Sequence, residues 1–266
     1  MKISLWTALQ YAWGNRVSIA SHAGYVDYTR RCAARPEAAA LVEKTARSGA
    51  YPTGQDSGWR YHFTRLPMHD KLLERYKLSE IAEQGSTFAR ALRVIDWLAG
   101  QTCYNGMEIR ACFLFQGKRE VSERILRYSY DGGFKRAINC RHKAMVLSDC
   151  LMAVGIAALP LWLSNHPNCH YVVHAWLPEV SRWVMLDPSL NTYITDEAGR
   201  ALSLIEIHEK HRAGEELSVA QYNFNGTQDC RETYLDNFIV GCLLEIKLCD
   251  GRTLNATELL AEQKYI

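Results

Sequence analysis

The sequence predicts an α+β protein: a helical N-terminal half, then a helix packed on an antiparallel sheet. Three observations carry this expectation. Apolar residues recur at helical spacing through the first 155 residues, as in PEAAALVEKTAR (36–47) and STFARALRVIDWLAGQT (86–102). Beyond residue 155 the texture changes to short runs rich in aromatic and β-branched residues, LPLWLS, CHYVVHAWLPEV and RWVMLDPS. Between the two lies one strong helix candidate, residues 140–155, ended by Gly155.

Each element has its own local reason. HDKLLERYKLSEIAEQ keeps helical spacing, and REVSERILRYSY reads as a further helix. Ser86 or Thr87 caps the helix in which Phe88, Leu92, Ile95 and Leu98 share a face. YPTGQDSGWRYHFTRL (51–66) and DGGF (131–134) are loops. ITDEAGRALS is a turn or hairpin before a helix, LIEIHEKHRAGEEL, and FIVGCLLEIKLCDGR reads as a last strand or strand pair. The division expected is a helical N-terminal extension over 1–90 and an α+β core over 91–266.

Composition excludes several classes. An apolar fraction of 48%, a charged fraction of 23% and a net charge of +2 are those of an ordinary globular chain. Nothing in the balance argues for nucleic acid or an anionic membrane. The longest apolar run, Ala153–Leu163, is too short to span a bilayer. The N-terminal MKISLWTALQYAWGN reads as a helix of the mature protein, not a signal peptide. The nine cysteines are odd in number, form no C-x-x-C pair and sit mostly among apolar neighbours. That is the pattern of reduced, buried thiols in a cytoplasmic protein, without structural zinc. His208 and His211 in HEKH read as solvated. His166, Cys169 and His170 lack a second well-spaced ligand set, so no metal and no cofactor are expected.

The chemistry centres on INCRHKAMVLSDC, where Cys140 opens a helix. The first-turn N–H groups and the helix dipole favour a thiolate there, and the Cys140 N–H is a candidate oxyanion donor. A base and a group to orient it must come from another element. His174 stands thirty-four residues on (174 − 140), and Asp187 thirteen further (187 − 174). If HYVVHAWL and RWVMLD are adjacent antiparallel strands, His174 and Asp187 face each other across them. Such an Asp fixes the imidazole tautomer and stabilises its cation. His170 lies four residues before His174 on the same strand face and is a rival base. His142, two past the cysteine, reads as surface. Trp176 and Trp183 read as core, with Trp183 a possible cleft wall, and Asn191 and Tyr193 are candidates for the rim.

Asn139-Cys140, Ala144, Leu147 and Gly155-Ile156, then His174-Ala175-Trp176, then Trp183 and Leu186-Asp187-Pro188, resemble the transglutaminase-like superfamily of papain-like Cys-His-Asp enzymes. The likeness covers roughly residues 95–210 and is closest to bacterial-type single-chain members. It implies a papain/transglutaminase-like core with Cys140 as nucleophile, His174 as general base and acid, and Asp187 as the orienting residue. It also implies an oxyanion helper some tens of residues before the cysteine, for which Tyr104 and Asn105 are the candidates. The implied activity is acyl transfer from an amide, peptide or acyl-thioester substrate through a Cys140 acyl-enzyme. Water as acceptor makes a peptidase or amidase; an amine makes an acyltransferase. Two other readings stand beside these. One is an amide synthetase that takes its acyl group from a carrier protein, with the N-terminal half as docking surface or lid. The other is an inactive binding module, against which the intact triad residue types argue.

Overall fold

The computed structural model describes residues 22–54, 63–108, 114–115, 121–130, 136–166 and 168–261. The expected N-terminal helix over the first fifteen residues lies outside them, as do half of the 51–66 loop and all of the 131–134 loop.

The helical half opens with α1 (His22–Ala33) and α2 (Pro36–Arg47). Pro36 sits at the start of α2, where a proline forfeits no helical hydrogen bond. Then come α3 (Pro67–Tyr76) and the single turn α4 (Leu78–Ile81). The expected continuous helix here breaks at Lys77, which takes a left-handed conformation (φ 51°). Helix α5 (Thr87–Gln101) begins where Ser86 Oγ accepts the Ala89 N–H. The pair β1 (Cys103–Tyr104) and β2 (Ala137–Ile138) is parallel and flanks α6 (Ser122–Tyr130).

Helix α7 (Cys140–Ala153) ends as expected near Gly155, whose φ of +80° is one that a side chain rarely adopts. The main sheet follows: β3 (Ala158–Asn165), β4 (Asn168–Leu177), β5 (Arg182–Leu186) and later β8 (Glu245–Leu248), in the order β5-β4-β3-β8, all antiparallel. A small antiparallel pair joins β6 (Tyr193–Thr195) and β7 (Ser218–Ala220), with α8 (Leu204–Arg212) between them. A short α9 (Arg231–Tyr234) runs into a π turn, Leu235–Ile239, and a 3-10 turn, Val240–Cys242. The first half of FIVGCLLEIKL is therefore helical rather than strand, and only its second half enters the sheet. The described chain closes with α10 (Ala256–Leu260) and Ala261.

Strand alternation divides the interior in two. Val173 and Ala175 of β4 turn to one face, where α7 packs with α3, α5 and α6. Leu159, Leu161 and Leu163 of β3 and Val172 of β4 turn to the other, against α8, the π turn and α1. Helix α7 is buried almost all round, as an apolar helix between sheet and helices must be. The N-terminal helices divide between the two clusters: α3 joins the α7 side, while Tyr25, Val26 and Tyr51 join the other. Among the described residues no helix is long and apolar enough to cross a membrane.

Candidate active site

Asn139 sets the start of α7. Its Oδ1 accepts the His142 N–H (3.2 Å), and its Nδ2 donates to the Glu108 carbonyl (3.1 Å). Cys140 is thereby the first helical residue, half-buried, among N–H groups that have no partner inside the helix. Tyr104 pairs in register with Ile138, two residues upstream of the cysteine.

The expected base is not at this end of the molecule. The last registered pair of β4 and β5 is Val173 with Leu186, so one more step sets Asp187 beside Val172. His170 and His174 then lie two residues to either side, both on Asp187's face. The structure brings His170 to Asp187, with Nε2 at 2.7 Å from Oδ2. The Cys140 sulfur acts on the same imidazole and helps to raise it. With Nε2 held by the carboxylate, Nδ1 is the nitrogen left for the sulfur.

His174 is some four strand residues away, about 13 Å along β4. Its Nε2 accepts the Leu204 N–H at the start of α8 (3.0 Å), and its ring stacks on Trp183 at 5.9 Å. It satisfies an amide that the helix itself leaves orphaned. This corrects the assignment of His174: the structure joins neither Cys140 nor Asp187 to it.

The electrostatics separate the two rings further. Both are buried. Burial lowers His170, but the Asp187 carboxylate, by charge and hydrogen bond, and the Cys140 sulfur outweigh it and push it up to about 10. His174 has burial alone and is pulled down to about 3. One is held as an imidazolium beside an anion, the other as a neutral acceptor.

Asp187 is fully buried and fully partnered. Oδ2 accepts from His170 and from the Tyr234 hydroxyl (3.1 Å), and Oδ1 accepts the Ser189 N–H (2.8 Å). Its backbone is fixed by reciprocal bonds with Thr192. Phe238, from the π turn, sets its ring edge-on to His170 at 5.2 Å. Tyr234 and Phe238 carry no sequence signal of this role. Tyr234 ends α9, and Phe238 lies in the π turn that follows, where the sequence begins to read as strand.

Of the two oxyanion candidates, Tyr104 is buried and its backbone is clamped on both sides by the Asn225 carboxamide. Tyr25 Oη donates to Tyr104 Oη at 3.4 Å. Burial, with the nearby Tyr25 and Cys140, pushes the Tyr104 phenol well above its ordinary value, so it stays a donor. Gly106 passes so close that a Cβ there would lie 2.6 Å from Tyr25 Oη and 2.8 Å from Tyr104 Oη. Asn105 shapes this turn instead: its Oδ1 accepts the Met107 N–H (2.9 Å).

Other expectations need revising. His142 is buried rather than on the surface. Its Nδ1 lies 2.8 Å from Asn139 Oδ1, and burial, with the Arg141 charge, lowers it to about 4. His208 is buried too, between Ser48 Oγ (2.9 Å) and Glu209 Oε1 (3.1 Å), because α8 packs that face against α2. Asn191 and Tyr193 tie their loop to α5, through Asp96 (2.9 Å) and Phe88 (5.2 Å), and do not line the site. Trp183 packs in the core against Trp176. The eight described cysteines are unbridged; Cys150, Cys230 and Cys242 are buried, whereas Cys169 is exposed. Among the described residues no group of three His, Cys, Asp or Glu converges to hold a metal ion.

No family model, no curated protein and no solved structure matches this chain.

Proposed function

We propose that this chain is a thiol enzyme of the transglutaminase-like, papain-related kind, acting on amide or thioester carbonyls through a Cys140 acyl-enzyme. The observation that carries the reading is the buried His170 ring, bonded to Asp187 and raised by the helix-start cysteine as well as by that carboxylate. His170, not His174, takes the part of general base and acid.

The residues divide the work as follows. The His170 imidazolium and the first turn of α7 place positive charge on both sides of the sulfur. The thiolate attacks the substrate carbonyl. The tetrahedral oxyanion is met by the Cys140 N–H and the Tyr104 hydroxyl. The carbon–leaving-group bond then breaks, and His170 gives its proton to the departing nitrogen or sulfur. A second nucleophile, water or an amine, loses its proton to His170, attacks the thioester and frees Cys140. Asp187 keeps the ring oriented and its cation stabilised throughout. A peptide, an amide or a carrier-bound thioester each meets these requirements as donor.

The test is acyl-enzyme trapping. An activated aryl ester or thioester should add one acyl mass to Cys140, seen by intact and peptide mass spectrometry. Cys140→Ala should abolish the adduct while keeping the fold. An adduct that persists on another residue, with equal turnover, would sink the proposal. Release of the acyl group by water alone, or only on addition of an amine, identifies the acceptor.

A further inference from the structure

The N-terminal helices have no part in the mechanism above, yet a side chain of α1 reaches the site. Helix α1 lies against the segment 222–232. The His22 ring stands 5.0 Å from Phe224, its Nε2 lies 3.1 Å from Asp229 Oδ2, and Arg30 Nε donates to Glu232 Oε1 (2.9 Å). Both ion pairs are exposed and contribute little, so the inward face of α1 does the holding. Tyr25 lies on that face and is buried. Its ring meets Tyr104 edge-on at 5.7 Å and Phe224 at 5.8 Å. The same 222–232 segment grips the Tyr104 backbone through the Asn225 carboxamide. One loop therefore pins both tyrosines.

The geometry sets this pair beside the reacting residues. Strand β1, which carries Tyr104, pairs with β2, and β2 runs straight into Asn139 and Cys140. The turn after Tyr104 is fastened at both ends to the residues just before the cysteine. The Asn105 N–H donates to the Ile138 carbonyl (3.1 Å), and Asn139 Nδ2 donates to the Glu108 carbonyl (3.1 Å). Gly106 lies inside that turn, and both phenol hydroxyls close over its bare Cα, 2.6 and 2.8 Å from where a Cβ would stand. On its other side the Tyr104 ring meets Phe238 at 6.4 Å, and Phe238 meets His170 at 5.2 Å.

The two hydroxyls share their protons unequally. Tyr25 Oη donates to Tyr104 Oη at 3.4 Å. Among the described residues the Tyr104 hydroxyl donates to none, although the residue is only 3% exposed. A buried donor left unmet costs stability, and an oxyanion site is where an enzyme keeps one ready. A hydroxyl that accepts one hydrogen bond gives a stronger one with its own proton. The accepted bond also limits the directions that proton can take.

We infer that Tyr25 is a positioning residue: its hydroxyl orients and polarises that of Tyr104, so helix α1 completes the oxyanion site of Cys140. This rests on the reading of Cys140 as nucleophile and Tyr104 as oxyanion donor. Tyr25 touches no reacting atom and acts through Tyr104.

Tyr25→Phe in the full chain tests it, since it removes the hydroxyl and keeps the ring that packs on Phe224. Acylation of Cys140 by an activated thioester passes through a tetrahedral oxyanion. Alkylation by iodoacetamide displaces iodide at a saturated carbon and forms none. Both rates are read at Cys140 by mass spectrometry. Tyr25→Phe should slow acylation about tenfold and leave alkylation within about twofold of wild type. Tyr104→Phe should slow acylation by about 10², and adding Tyr25→Phe to it should cost nothing further. Acylation unchanged to within about twofold in Tyr25→Phe overturns the inference. Equal losses in acylation and alkylation overturn it as well, because they place the effect on the thiol or the fold. So does an undiminished loss in the Tyr104→Phe background, which would make Tyr25 act alone. Each of these results leaves the proposed function standing if acylation of Cys140 still depends on His170. If wild-type Cys140 takes no acyl group, or takes it equally fast in His170→Ala, the proposed function fails and this inference falls with it.

Discussion

His170 and His174 sit on one strand, on one face, four residues apart, and both are buried. They are nonetheless in opposite states. His170 meets a carboxylate and a thiol and is held cationic; His174 meets a backbone N–H and an indole face and is held neutral. What differs is not the residue or its element but what the neighbouring segments present to it. At one end β5 has turned away at Asp187, and the end of α9 and the π turn close over the gap with Tyr234 and Phe238. At the other, β5 is still paired and α8 begins above it. A buried imidazole takes its role from its partners.

The largest expected effect is the one that separates the two rings. His170→Ala should slow acylation of Cys140 by about 10²–10⁴. His174→Ala should leave acylation within a few-fold but cost stability, because the Leu204 N–H loses its acceptor. Stopped-flow acylation and denaturant unfolding of both variants check this; the reverse pattern would restore His174 as the base. Asp187→Asn removes the charge that raises His170. Acylation should fall by about 10², and the alkaline limb of its pH profile should move to lower pH. A profile that does not move would detach Asp187 from the ring.

The pH dependence of stability should run in opposite directions at the two ends. His170 is raised from about 6.5 to about 10 on folding. Its contribution is complete below pH 6.5 and is lost as pH rises through 10. His174 is lowered from 6.5 to about 3, so the unfolded chain takes up a proton that the folded chain refuses. Its contribution is present above pH 6.5 and is lost as pH falls toward 3. Each is on the order of a few kcal/mol at most. Denaturation across pH 3–10 should show the gap between wild type and His170→Gln closing with alkali. The gap to His174→Gln should close with acid. Parallel slopes in the two variants would contradict the assigned states.

The smallest effect belongs to the residue that holds the acid. Tyr234→Phe removes one of three bonds to Asp187, and about 1 kcal/mol of stability is expected to go with it. Acylation should drop less than tenfold, with a small shift of the pH profile; a loss as large as that of Asp187→Asn would give the hydroxyl a more direct part.

Much of this was legible in the chain. Asn139 as a cap, Cys140 as the first helical residue and Gly155 as the stop are local features, fixed by side-chain oxygens and allowed dihedrals within one or two turns. The strands announced themselves by aromatic and β-branched runs, and the position of Asp187 followed from its place at the end of one of them. The alternation of β4 put both histidines on Asp187's face, but period-2 patterning cannot rank residues two steps to either side of a register position. Tyr234 and Phe238 were hidden because the four-residue α9 and the π turn after it are too short to show a period, and FIVGCLL, from Phe238 on, satisfies a strand pattern equally well. His142 and His208 were misjudged because burial of a polar ring depends on which helix faces it.

The sequence by itself determined the α+β class, the helix that begins at Cys140 and the residue types that meet at the candidate site. These depend on propensity, capping and hydrophobic period, which act between residues near in the chain. Only the tertiary structure decided which histidine joins the cysteine and the aspartate, and which phenols lie beside them. Those choices depend on distances between segments up to 121 residues apart, as between Tyr104 and Asn225, and no local pattern encodes them.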